Sequence, residues 1–308
     1  MQENRLAWIF GSSRSGSTWL LKMLSDLEGV VPIDDPHLGH HLGVWRPIPL
    51  AWAACEDPPE LSTLLEVKAE EPGYFFAERY RDAWWKPLRE LIAARFEAQA
   101  EGPGGGAGGQ DGAERSAAAG AAFVVKEPGS HVAPFLAELF PESKVIFLLR
   151  DGRDVVDSWL DAYSEGSWAI PGGAFPVSEE GRIPLIRWLS EVWVFRSRQV
   201  RKAYESRAPG DRIQIRYEDL RGETERCLTG ICEMIGLDSG RVPEVVGAHR
   251  FEKLPRTARG PRRVVRQARP GGWRDNLSAA ERKAMHEVLG EALEEFGYDS
   301  GEPLAATG

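Results

Sequence analysis

The sequence predicts an α/β fold in three layers, a central parallel sheet with helices on both faces. Two observations predict it. Short continuous apolar runs, the mark of strands buried on both sides, alternate with longer segments whose apolar residues recur at helical spacing. The first of these runs ends in a glycine- and serine-rich loop that leads straight into a helix. Strands that alternate with helices pair in parallel, because each crossover lays a helix on the sheet. The 308 residues, 42% of them hydrophobic, are enough for one such domain, expected to span 1–308.

Leu6 to Phe10 is the first apolar run and reads as a buried strand ending at Gly11. Thr18 to Leu27 carries Trp19, Leu20, Met23, Leu24 and Leu27 at helical spacing, and Gly29 is a stop signal. Val30 to about Glu90 reads as irregular and aromatic-rich, with Trp45, Trp52 and the run from Tyr74 to Trp85. Trp84 to Ala98 is a helix. The glycine- and alanine-rich stretch 101–120 holds too little apolar surface to order itself and reads as a flexible insert. Ala121 to Lys126 is a second buried strand, His131 to Phe140 a helix, Lys144 to Arg150 a third strand and Gly152 to Glu165 a helix. Pro184 to Ser206 is a long amphipathic helix with Trp188, Val192 and Phe195 on one stripe. Arg212 to Tyr217 is a fourth strand, followed by a helix to about Ile235 that places Cys227 and Cys232 in the core. Ser278 with Glu281 three residues on is a capping box that opens the last helix.

The bulk chemistry excludes several classes. A net charge of −9 argues against a general nucleic-acid binder. Three cysteines without paired spacing suit a reducing compartment. No apolar run approaches the roughly 18 residues of a membrane span. A strand by Leu6 leaves no room for a signal peptide, so a cytoplasmic location is expected.

Three stretches carry chemistry. In "GSSRSGSTW", Gly11 and Gly16 have the spacing of a phosphate-binding loop and Thr18 stands in its hydroxyl position. Ser17 occupies the lysine position, and Arg14 is the one cation in the loop. Backbone N–H groups at a helix N-terminus make an anion cradle. A sulfuryl ester carries less charge than a terminal phosphoryl group, so a sulfuryl donor could manage with one guanidinium and no metal. The second stretch, "FLLRDGRDVVDSW", puts Arg150 at the C-terminal end of a strand and Ser158 eight residues on, a pair able to clamp a second phosphate at the ligand crevice of the sheet. Within it Asp154 is expected to cap or charge-stabilise the helix start, and Arg153 to be solvated. The third, 253–274, has seven arginines and no acidic residue, and can fold over a polyanionic nucleotide.

Together these stretches resemble the sulfotransferases that use 3′-phosphoadenosine 5′-phosphosulfate (PAPS). "RSGSTW" is similar to the family's 5′-phosphosulfate motif, "KSGTTW". Arg150 and Ser158 match its 3′-phosphate motif at the same spacing of eight. "IRYEDL" is similar to a segment whose tyrosine contacts the adenine, here Tyr217, and "PGGWRDNLS" is similar to the C-terminal "GxW" segment. The resemblance implies a soluble bacterial member with the fold of the P-loop-like sulfotransferases. Its donor site would comprise Arg14, Ser15, Gly16, Ser17, Thr18, Trp19, Arg150, Ser158, Tyr217, Arg266, Gly271, Gly272 and Trp273, with Trp19 beside the adenine. Gln267 and Ala268 stand where the family's basic loop has lysine and glycine.

The acceptor hydroxyl must lose a proton during in-line attack on sulfur. The family's histidine base lies in a "KTH" segment. Here that segment is "KEP", so Lys126 matches and Pro128 replaces the histidine. Other branches use a carboxylate after the first helix or beside the strand lysine, which points to Asp35 first and Glu127 second. His37, His40 and His41 share the Asp35 loop, but "DDPHLGHH" matches no closed zinc pattern, and no metal is expected. The expected activity is transfer of a sulfuryl group from PAPS to a hydroxyl of a small, apolar or aromatic-bearing acceptor, with Arg14, Asp35, Glu127, His37 and Lys126 as catalytic candidates. An ATP-dependent P-loop kinase and an inactive nucleotide-binding protein are the alternatives.

Overall fold

The structure is a computed structural model that describes residues 1–42, 73–101, 120–169, 177–250, 253, 260, 262–263 and 269–301. The chain divides into two compact units. The first comprises Met1–Arg46, Glu60–Leu149 and Ser197–His249. The second comprises Pro47–Pro59, Arg150–Arg196 and Arg250–Gly308. Of the Gly/Ala-rich insert expected at 101–120, all but Glu101, which ends a helix, and Gly120 lies outside the described residues, as do Trp45, Trp52 and most of the basic stretch, Arg266 included.

The first unit is built on a five-stranded, all-parallel sheet. Its strands are β1 (Leu6–Phe10), β2 (Val30–Asp34), β3 (Ala122–Lys126), β4 (Lys144–Leu149) and β5 (Arg212–Arg216), in the order β2-β3-β1-β4-β5. β1 and β3 are buried at every residue, which is why an unbroken apolar run announces them. β2 corrects the reading of Val30 onward as irregular. It is an edge strand, buried only at alternate positions and interrupted by Pro32, a residue that sheets tolerate at their edges. The Pro32 carbonyl accepts a hydrogen bond from Gln99 Nε2 at 3.2 Å.

The helices follow in chain order: α1 (Ser17–Ser25), α2 (Leu38–His41), α3 (Arg81–Glu101), α4 (Ala133–Leu139), α5 (Gly152–Ala162), α6 (Glu179–Glu205), α7 (Tyr217–Gly222), α8 (Thr224–Ile235), α9 (Val242–Ala248), α10 (Trp273–Asn276) and α11 (Ala279–Glu295). The single helix expected to run to Ile235 is two, α7 and α8. α6 begins five residues before Pro184.

Alternation along β1 sorts its side chains to the two faces of the sheet. Ala7 and Ile9 join Val124, Ile146, Leu148 and Ile215 in one core with the buried residues of α1, α8 and α9, including Cys227 and Cys232. On the other face Trp8 lies 5.6 Å from Phe10, 5.8 Å from Phe140 and 6.1 Å from Phe96 of α3. Trp8 Nε1 donates to Ser143 Oγ at 3.1 Å, so its one polar atom is satisfied in the core.

The second unit holds α5, the first part of α6, α10 and α11. Trp193 packs edge-on against Phe296 at 5.6 Å. Ser278 and Glu281 form the expected capping box, and Arg182 bonds the same Glu281 at 2.7 Å.

Candidate active site

In the first unit the loop after β1 bends back on itself before α1. Ser15 is fully buried, and its N–H and its hydroxyl both donate to the Ser12 carbonyl, at 3.2 and 2.6 Å. Arg14 and Gly16 both have left-handed backbones, at φ 74° and 90°. Gly16 is the N-cap of α1 and supplies no side chain to its first turn. The early N–H groups of α1 therefore face the loop without a capping oxygen, which suits an anion. Thr18 is exposed there. Trp19 packs its ring on the core and donates from Nε1 to the His249 carbonyl at 3.1 Å.

Lys126 ends β3 and is 5% exposed. Its ammonium has three protons and three oxygens within reach: Asp34 Oδ1 at 2.7 Å, Thr18 Oγ1 at 2.9 Å and Asp35 Oδ2 at 3.0 Å. The lysine that the loop lacks in sequence thus arrives from another strand. Asp35 has a left-handed backbone, at φ 47°, and its N–H donates to the Lys126 carbonyl at 3.1 Å. Its Oδ1 is shielded and accepts no hydrogen bond among the described residues. The loop hydroxyl, a cation and a carboxylate therefore share one corner at the C-terminal ends of β2 and β3.

Glu127 is 2% exposed, and backbone amides occupy both of its oxygens: Leu38 N–H on Oε2 at 2.8 Å, and Gly129 and Gly39 N–H on Oε1 at 2.6 and 3.3 Å. Burial holds its carboxyl above the usual glutamate value, against the opposing pull of the three amides. His37 is exposed, with a left-handed backbone at φ 54°. The side chains of His40 and His41 lie outside the description. Among the described residues no group of three or more His, Cys, Asp or Glu is placed to hold a metal ion. Tyr217 is buried under the loop. A Cβ on Gly16 would come within 2.7 Å of its ring.

In the second unit Arg150 precedes α5, and its carbonyl accepts from Trp193 Nε1 at 3.1 Å. Ser158 is buried on α5. One expectation is corrected here, and one is narrowed, since Asp154 lies in the first turn of α5 without capping it. Arg153 is buried, not solvated: its guanidinium bonds Asp151 at 2.8 Å and lies 4.6 Å from the ring centre of Trp273. Asp151, not Asp154, caps α5, accepting from the Arg153 N–H at 2.9 Å. Asp154 instead accepts from the Gly271 and Trp273 N–H groups at 2.7 and 3.4 Å. Asp157 takes the Asn276 amide at 2.9 Å. The sequence reading missed this grip, although the spacing of Asp151, Asp154 and Asp157 along one helix face was a signal for it. Burial raises the Asp154 carboxyl above the usual aspartate value, partly countered by Arg150.

The profile described as Sulfotransferase family matches residues 7–240. No curated protein matches the sequence. The sulfotransferase domain from the Synechococcus PCC 7002 olefin synthase is similar at 18% identity and a TM-score of 0.50, over 96% of this chain and 94% of that one. Mouse sulfotransferase SULT7A1, solved complexed with PAP (3′-phosphoadenosine 5′-phosphate), is similar at 11% identity and a TM-score of 0.53, over 96% of this chain and 86% of its own. At these identities the likeness is one of fold.

Proposed function

The chain belongs to the sulfotransferase family, and on that premise we propose that it moves a sulfuryl group from PAPS to the hydroxyl of a small apolar or aromatic acceptor. The observation that carries this reading is Lys126, whose ammonium touches Thr18 of the anion loop and the carboxylate of Asp35 together. A phosphosulfate at the loop would supply a sulfur open to in-line attack and a phosphate leaving group. The N–H groups of Ser17, Thr18 and Trp19 would hold its oxygens. Arg14 and Lys126 counter the charge that gathers on the bridging oxygen as the S–O bond to phosphate breaks. Asp35 accepts the acceptor proton as the new S–O bond forms. Each oxygen that enters the reach of Lys126 must displace one of its three partners. Glu127 has both oxygens engaged by amides and takes no proton in this scheme. Arg150, Ser158, Tyr217, Gly271, Gly272, Trp273 and Arg266 are proposed for the nucleotide on the resemblance of their motifs. A protein of the same fold binds PAP, which supports the choice of nucleotide.

Calorimetric titration with PAP, beside ATP with Mg²⁺, tests the proposal. PAP should bind, and Arg150→Ala should weaken it. Lys126→Met should bind PAP yet lose at least about a hundredfold in turnover, as for removal of a donor aimed at developing charge. Binding of Mg·ATP with no response to PAP would overturn the proposal in favour of phosphoryl transfer.

A further inference from the structure

Glu127 is more deeply buried than either carboxylate on Lys126, and its partners are three backbone amides from two segments. Those segments touch backbone to backbone. A Cβ on Gly39 would stand 2.5 Å from the Gly129 carbonyl oxygen, and one on Gly129 would stand 2.7 Å from Gly39 Cα and 2.8 Å from Glu127 Oε1. The segment pressed against Gly129 is the one that carries Asp35. It holds two non-glycine residues in the left-handed region, Asp35 and His37, on either side of Pro36. Such backbones persist where their surroundings impose them. Here the imposing contacts are Lys126 on the Asp35 side and the Glu127 carboxylate on the Leu38 and Gly39 side.

We infer that Glu127 is a positioning residue. Its carboxylate ties residues 35–39 to the end of β3 and so sets Asp35 on Lys126 for proton transfer. The inference rests on the reading above, in which Asp35 is the base. A carboxylate is the fitting group because every neighbour is a donor. An amide at this position would keep one acceptor and turn an N–H toward another N–H.

The test uses the full chain with Glu127→Gln, Glu127→Asp and Gly39→Ala, and reads PAP affinity, turnover of PAPS with 2-naphthol as probe acceptor, its pH profile, and hydrogen exchange. In E127Q, PAP affinity should stay within about twofold, because residues 12–18 are untouched. Turnover should fall by about a hundredfold, the scale of a small misplacement of reacting groups. The acid limb of the profile should persist, because the base itself is unchanged, and the rise in amide exchange should be confined to the three partners of Glu127, Leu38, Gly39 and Gly129. Gly39→Ala should reproduce the turnover loss with Glu127 intact, and Glu127→Asp should fall between. Loss of the acid limb in E127Q, with activity surviving in Asp35→Asn, would make Glu127 the base and overturn the inference. Wild-type turnover in E127Q and Gly39→Ala would overturn it as well, as would loss of PAP affinity alongside turnover. If E127Q does not fold, Glu127→Asp and Gly39→Ala read the same quantities. A wild-type chain that binds no PAP would instead sink the functional reading, whatever the variants do.

Discussion

Replacing Gly16 with alanine puts a methyl group where the loop has no room for it. The added Cβ would lie 2.7 Å from Tyr217 Cδ2 and 2.8 Å from Cε2, well inside contact distance. The ring is 5% exposed and has little space to retreat. Overpacking of this kind costs about 1–3 kcal/mol. The backbone adds a second penalty. Gly16 sits at φ 90°, and a left-handed conformation costs an L-residue roughly 1–2 kcal/mol. The sum is about 2–5 kcal/mol, which at roughly 2–4 °C per kcal/mol lowers the melting transition by about 5 °C or more. Because α1 starts at this residue, displacement of the loop also misaligns its first N–H groups, and PAP affinity should fall by more than about tenfold. The assay is thermal unfolding followed by calorimetry with PAP, on Gly16→Ala, Tyr217→Leu and the double variant. In the cycle the two changes should compensate by about 1–3 kcal/mol, since the smaller side chain removes the clash but not the backbone strain. Additive behaviour would mean that Tyr217 is not the wall of the loop. Wild-type melting and affinity in Gly16→Ala would refute the loop geometry itself.

Two further outcomes follow from buried groups. Asp154→Asn weakens the grip on Gly271 and Trp273 and should cost about 1–3 kcal/mol, the range for a buried group left unsatisfied. Burial raises the Asp154 carboxyl, so its contribution is complete below the ordinary aspartate value and is lost as pH rises through the folded value. The melting difference between wild type and variant should therefore narrow as pH rises above the ordinary aspartate value of about 4, and a difference that widens with rising pH would count against the assignment. The second outcome concerns the Cys232 thiol, which burial pushes up to about 11. Iodoacetamide at pH 8 should leave the Cys232 peptide unlabelled in the native protein and label it in denaturant. Native labelling at the rate of a free thiol would show that α8 opens.

What could be read from the sequence follows from how local the determining forces are. β1, β3 and β4 are buried on both faces, so their apolar runs announce them. β2 is half-buried and broken by proline, and it becomes a strand only because β3 lies beside it. The anion loop was readable because glycine spacing and helix start fall within eight residues of chain. The Lys126–Thr18 bond joins residues 108 positions apart and the Glu127–Leu38 bond residues 89 apart, and no local pattern encodes either. Arg153 shows the reverse error. A charged residue beside an aspartate reads as surface, and only the fold brings the Trp273 ring and the Ser300 carbonyl against it.

Pro32 and Gln99 together bear on how this protein behaves at high concentration. An edge strand offers a row of donors and acceptors to any other extended chain. At the middle of β2 the donor is absent, because proline has no N–H, and the carbonyl of the same residue is taken by Gln99. Within a strand both groups of one residue point the same way, so the outward position at 32 has lost its donor and has its acceptor engaged. A sixth strand arriving from another molecule would find a gap in the ladder at the centre of a five-residue edge. Self-association by sheet extension is discouraged on this side by two residues that have no part in the chemistry.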